Sequence, residues 1–163
     1  MDLHLLVDIS AIFGSIALVV SVLLLALELR ESNRLIKAAN TQALVSLSTP
    51  FNMGLIQDRK MAEFYVHGAR QFASMDEIDR YRYKSLLIWW LIFHENIYYQ
   101  WRQGLLDKHT FKPWTKDLKV FIVQQDLGVH WGLMHNLFQD EFSNFVAQLI
   151  AECKQEDEPP SRF

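Results

Sequence analysis

The chain has 163 residues, 50% apolar and 21% charged, which excludes a wholly disordered polymer and leaves room for one domain of ordinary size or a smaller domain plus an appendage. Sixteen basic against 19 acidic residues give a net charge of −3, so no global pull draws it to nucleic acid. A single cysteine, Cys153, excludes a disulfide scaffold and a cysteine-based zinc cluster.

Residues 9–27 form a run of 19 without one charged side chain, bounded by Asp8 before and by Glu28, Arg30 and Glu31 after. As a helix this run is roughly 28 Å long, close to the ~30 Å hydrocarbon core of a bilayer. It is expected to stay attached as an anchor rather than to be cleaved. Met1–His4 holds no Lys or Arg, the run exceeds a usual signal-peptide core, and no small-residue cleavage pattern closes it. Arg30, Arg34 and Lys37 follow the run and no basic residue precedes it. Positive-inside bias therefore predicts an inner (plasma) membrane protein with its N-terminus outside and residues 30–163 in the cytoplasm. The same three residues are candidates for contact with lipid head groups.

Within the run, Ser10, Gly14, Ala17 and Ser21 recur at steps of four, three and four, and the same steps lead on to Glu28. Small side chains on one face let transmembrane backbones approach, so this face is the candidate for association with a second copy or another membrane protein. Residues 28–48 contain no Gly or Pro, which extends the helix to a rod of roughly 60 Å that stops at Thr49-Pro50. Leu29, Ile36, Ala39, Ala43 and Leu47 make an apolar stripe on the projecting half, to be covered by the rest of the chain or by a second copy. The predicted organisation is an anchor over 1–29, a helical extension over 30–49, a cytoplasmic α-helical domain over 50–154 and a disordered acidic tail over 155–163.

The domain reads as helix after helix. Asp58 suits an N-cap for 59–70, and Ser74-Met-Asp-Glu77 fits a capping box opening a helix that runs to about Gln103, with Gly104 as its stop. Pro113 fits the first turn of a helix over 114–125, followed by a short helix over 128–137 and a last one over 140–154. No sustained alternation of period two occurs, so the fold class is all-α. Twenty of the 21 aromatic residues follow Pro50. Residues 86–93 are apolar on every side, too few to cross a bilayer, and predict a central helix covered on all faces.

Certain local strings resemble those of a family of small bacterial membrane proteins with no assigned activity. They are Leu27-Glu-Leu-Arg-Glu-Ser-Asn-Arg34 directly after the span, Lys37-Ala-Ala-Asn-Thr-Gln42, and Phe93-His-Glu-Asn-Ile-Tyr-Tyr-Gln-Trp-Arg-Gln-Gly-Leu-Leu-Asp107 with Trp114 soon after. The likeness covers about 9–150 and departs at Glu28, where a Gln is expected. It implies an anchor followed by a helical domain and transfers no catalytic residue.

Glu95 lies one turn beyond Leu91 and Ile92 with Tyr98 and Tyr99 beside it, a candidate buried polar cluster. A carboxylate there needs a partner, and a structural bond to a Tyr hydroxyl or a neighbouring Arg is expected ahead of a catalytic pocket. No metal or cofactor is predicted. His94 and Glu95 are adjacent and point about 100° apart, and His130 and His135 stand five apart, a poor ligand spacing. Cys153 sits beside Glu152 near the acidic tail, which disfavours its thiolate. Arg102, Lys108, Lys112, Lys116 and Lys119 form a local basic cluster with Trp101, Phe111 and Trp114 interleaved. Lys108, Lys112 and Lys116 are candidates for anionic head groups. Single-stranded nucleic acid uses the same ingredients but is not expected of an acidic chain, and the alternative is a solvated face with the aromatics turned inward.

Together these features predict a single-pass, non-enzymatic, self-assembling accessory or regulatory module. The alternatives are a pore-forming or membrane-disrupting effector, with Ser10, Ser15 and Ser21 lining a path, and a membrane-tethered enzyme with a pocket near Glu95.

Overall fold

The computed structural model describes the backbone of residues 3–157 and the side chains of residues 12–155. Within them the fold is all-α, with no strand. The helices are α1 (Leu3–Gln57), α2 (Arg59–Gln71), α3 (Glu77–Arg102), α4 (Lys108–Gln124), α5 (Leu127–Met134) and α6 (Asp140–Asp157), with 3-10 turns at Phe72–Ser74 and His135–Leu137. Gln155 and the two acidic residues after it belong to α6 rather than to a disordered tail, and residues 158–163 lie outside the described residues.

Contacts divide the chain into two units at Ala39/Asn40, inside α1. In the first unit every described side chain, 12–39, is exposed. The second unit carries the core.

α1 does not stop at Thr49-Pro50 as its sequence predicts, but continues through Pro50 to Gln57. Proline removes one ladder donor, and the hydroxyls of Ser48 and Thr49 close up the turn before it by donating to the Val45 carbonyl (3.0 and 2.8 Å). The continuation is held by packing. Leu44, Ser48 and Phe51 are buried on one face, and the Phe51 ring lies 4.6 Å from Trp90, 5.0 Å from Trp89 and 5.9 Å from Tyr65. Ala43 and Leu47 of the apolar stripe stay exposed, because the docked face is the neighbouring one.

Aspartates start three of the helices. Asp58 accepts from the amides of Lys60 (2.8 Å) and Met61 (3.2 Å), as its sequence position predicts. Asp76, not Ser74, caps α3 by accepting from the Asp79 amide at 2.7 Å. Ser74 is spent within its 3-10 turn, donating to the Gln71 carbonyl. Asp107 accepts from the Thr110 amide at 2.8 Å, which holds its carboxyl below the usual range. α4 therefore begins before Pro113, not at it, and its first turn is pinned further by Phe111 stacked on Trp101 at 4.3 Å.

α3 ends on a Schellman motif, with the Leu105 amide donating to the Gln100 carbonyl (2.9 Å), the Gly104 amide to the Trp101 carbonyl (3.0 Å), and Gly104 at φ +72°. A Cβ at Gly104 would meet nothing within 4 Å, so its cost is backbone strain alone. Gly104→Ala is expected to lower stability by about 1 kcal/mol and Gly104→Asn by less, read from urea midpoints.

α3 is central but not covered on every side. Leu87, Trp90, Leu91, Phe93, Ile97 and Tyr98 are buried, whereas Trp89 and Ile92 are 38% and 52% exposed, with Trp89 covered on one face by Phe51. α4 and α6 add Leu118, Phe121, Ile122, Phe142, Val146 and Leu149 to the core, and α5 adds Leu127 and Met134. One fully buried amide ties three helices together. The Tyr83 hydroxyl donates to Gln125 Oε1 (3.0 Å), and Gln125 Nε2 donates to the Tyr65 carbonyl (2.8 Å).

Burial, with Asp126 nearby, pushes the Tyr83 hydroxyl far above the ordinary phenol value of 10.0, and burial raises Tyr65 as well. An unfolded tyrosine ionises near 10 while the folded one keeps its proton. Stability is therefore intact below that pH and falls as pH rises above it. Urea midpoints are expected to drop between about pH 9 and pH 11. Tyr83→Phe is expected to flatten that slope while costing roughly 1–2 kcal/mol at neutral pH, since Gln125 Oε1 loses its donor.

Candidate membrane-interacting site

The first unit is a helix whose described side chains are all exposed. Ile12, Phe13, Ile16, Leu18, Leu23, Leu24 and Leu27 are each more than half exposed, and 12–27 carries no charge. Over 12–27 a cylinder about 24 Å long and about 10 Å across offers roughly 750 Å² of largely apolar surface. Soluble monomers rarely leave more than about 300–600 Å² of contiguous apolar surface open. α1 is the one helix among the described residues that is long and apolar enough to cross a membrane.

The small-residue face lies on this helix. Gly14 has no neighbouring atom within 4 Å of where a Cβ would stand, and Ala17 and Ser21 are exposed. Ser21 donates its hydroxyl to the Ala17 carbonyl at 2.8 Å, which satisfies it within its own helix and suits it to hydrocarbon. Ser10 lies outside the residues whose side chains are described. Beyond the apolar run, Glu28, Arg30, Arg34 and Lys37 are exposed, and Arg34 pairs with Glu31 at 2.9 Å, a solvated contact worth little. Leu29, Ile36 and Ala39 are uncovered. The shallow notch between Leu29, Arg30, Asn33 and Lys37 is a gap between side chains of this single helix, not a ligand cavity.

In the second unit the Glu95 cluster takes a structural form. Glu95 Oε1 accepts from the Gln139 amide at 2.9 Å, capping the start of α6, where a Tyr or Arg partner was expected. Tyr98 is buried against Phe142 and Phe145, with ring centres 5.8 and 4.9 Å away. Tyr99 is half-buried and its hydroxyl is raised by desolvation and by the charges of Glu141 and Glu95. Beside them lies a shallow, open depression lined by Tyr99, Gln139, Asp140 and Glu141 rather than a deep cleft.

His94 is buried, with Nδ1 donating to the Trp90 carbonyl (3.0 Å) and Nε2 3.3 Å from Asp117 Oδ2 without hydrogen-bond geometry. Among the described residues no three His, Cys, Asp or Glu side chains converge as metal ligands. Cys153 is buried and lines a shallow open hollow with Lys119, Val120 and Val123 of α4.

The structure splits the basic cluster. Arg102 pairs with Glu141 at 3.3 Å and Lys119 with Glu152 at 3.0 Å, whereas Lys108, Lys112 and Lys116 stand exposed on one face of α4. The interleaved aromatics point inward: Trp101 and Phe111 stack on each other, and Trp114 packs edge-on against Phe93 at 5.4 Å. Val120 and Val123, both about half exposed, join the lysine face. The sequence expectation of a helix over 114–125 leaves Lys108 and Lys112 outside the helix, whereas α4 begins at Lys108 and sets them in register with Lys116. No protein-family model, no curated protein and no solved structure matches this chain.

Proposed function

We propose that the chain is a single-pass, membrane-anchored helical module that assembles with a second copy or another membrane protein, acting as an accessory or regulatory subunit rather than an enzyme. The observation that carries this reading is the helix over 12–39, whose apolar side chains are all exposed among the described residues. The basic flank of Arg30, Arg34 and Lys37 supports an inner-membrane topology with the second unit in the cytoplasm. The local resemblance to small bacterial membrane proteins supports the same arrangement. Assembly is supported by Gly14, Ala17 and Ser21 on one side of the span and by Leu29, Ile36 and Ala39 beyond it, where lipid no longer covers them.

The test is made on the full chain in its native membranes. The protein is expected to resist alkaline carbonate, to expose a C-terminal tag only to the cytoplasmic side, and to crosslink to itself or to one reproducible partner. Gly14→Leu is expected to abolish that crosslink while leaving membrane insertion intact. Recovery from the aqueous lysate as a compact particle would overturn the anchor, and crosslinking only to random neighbours would overturn the assembly.

A further inference from the structure

We infer that the exposed face of α4 is a second membrane contact, which docks on anionic lipid head groups through Lys108, Lys112 and Lys116 and rests Val120 and Val123 against the interface. The three lysines recur at every fourth position of α4, all are exposed, and none has an ion pair among the described residues. At 100° per residue, Val123 falls between Lys112 and Lys116 on the same side, and Val120 adjoins them. The two valines are 52% and 53% exposed.

No α4 carboxylate opposes this face. Asp117 flanks the face beyond Val120, with its carboxylate turned toward His94, Asp107 is engaged by the Thr110 amide, and Glu152 of α6 is held by Lys119. Positive charge beside uncovered methyl groups is the pattern of an interfacial helix. A single-stranded nucleic acid needs free aromatic platforms, and here Trp101, Phe111 and Trp114 are packed on other rings. The inference rests on the anchor reading, since α1 would confine this face near a bilayer and raise its effective concentration there.

The experiment uses the full chain in nanodiscs, of phosphatidylcholine alone or of phosphatidylcholine and phosphatidylserine in equal parts. An environment-sensitive fluorophore is placed on Gln124→Cys in a Cys153→Ser background. The expected result is a blue shift only in anionic discs, reversed by high salt. Lys108→Gln/Lys112→Gln/Lys116→Gln is expected to weaken docking roughly 100-fold with unchanged helicity, at about fivefold per lysine. Val120→Ser/Val123→Ser is expected to shrink the blue shift but keep its salt dependence.

Equal signals in the two discs, or no effect of the triple variant, would overturn the inference. So would a single-stranded oligonucleotide that moves the probe in neutral discs as far as anionic lipid does. A chain that enters neither disc overturns the anchor reading and this one together, whereas entry without a lipid-dependent signal overturns this one alone.

Discussion

Phe51→Ala is expected to destabilise the second unit by about 3–4 kcal/mol, the upper range for a buried aromatic cut back to alanine. The ring is 6% exposed and lies against Trp89, Trp90 and Tyr65, so its removal opens a hole beneath two indoles and cancels three ring contacts at once. It is also the anchor of the last part of α1. Leu44 and Ser48 share its face, and without the ring the helix loses its reason to continue past Pro50. Denaturant unfolding followed by tryptophan emission reads both effects, because Trp89 and Trp90 report the site directly. Phe51→Leu, which keeps most of the volume, is expected to recover more than half of the loss. A change below about 1 kcal/mol for Phe51→Ala would mean that this end of α1 is not docked.

Gly68→Ala is expected to destabilise by roughly 2 kcal/mol even though alanine is the better helix former by about 1 kcal/mol. Gly68 is buried, and a Cβ there would collide with Tyr83 Cε2 and Cδ2. Tyr83 cannot give way cheaply. It is fully buried and its hydroxyl is tied to Gln125, so α2 must lift from α3 or the Tyr83–Gln125–Tyr65 link must break. The diagnostic is a double-mutant cycle. In a Tyr83→Leu background, Gly68→Ala is expected to become neutral or stabilising, leaving only the helix-propensity gain. Equal costs in both backgrounds would show that the collision is not with the ring.

Both sites depend on neighbours far away in sequence, and that is why neither was visible beforehand. Nothing local marks Gly68 as a contact point until Tyr83 is laid across it, and Phe51 falls in the expected domain over 50–154 because the long helix is expected to stop at Thr49-Pro50. Glu95 was legible as a carboxylate needing a partner, but a backbone amide 44 positions away leaves no sequence signal. Pro113 misled in the opposite direction. Proline at a first turn is a strong local rule, and here Asp107 together with the Trp101–Phe111 stack outweighs it.

What the amino-acid order determined by itself was whatever a short stretch of chain can settle alone. The uncharged 19-residue run sets a helix of bilayer length, Asp58 and Gly104 begin and end helices through bonds within their own turns, and the lack of period-two patterning rules for helices throughout. Only the tertiary structure decided which side of each helix is spent. It chose Leu44, Ser48 and Phe51 over Ala43 and Leu47, turned Trp114 and Phe111 inward, and left three lysines and two valines together on the outside of α4. The physical reason is that caps and periodicity act within a few residues. The choice of buried face depends on shape complementarity with partners that the chain brings near only after it has folded.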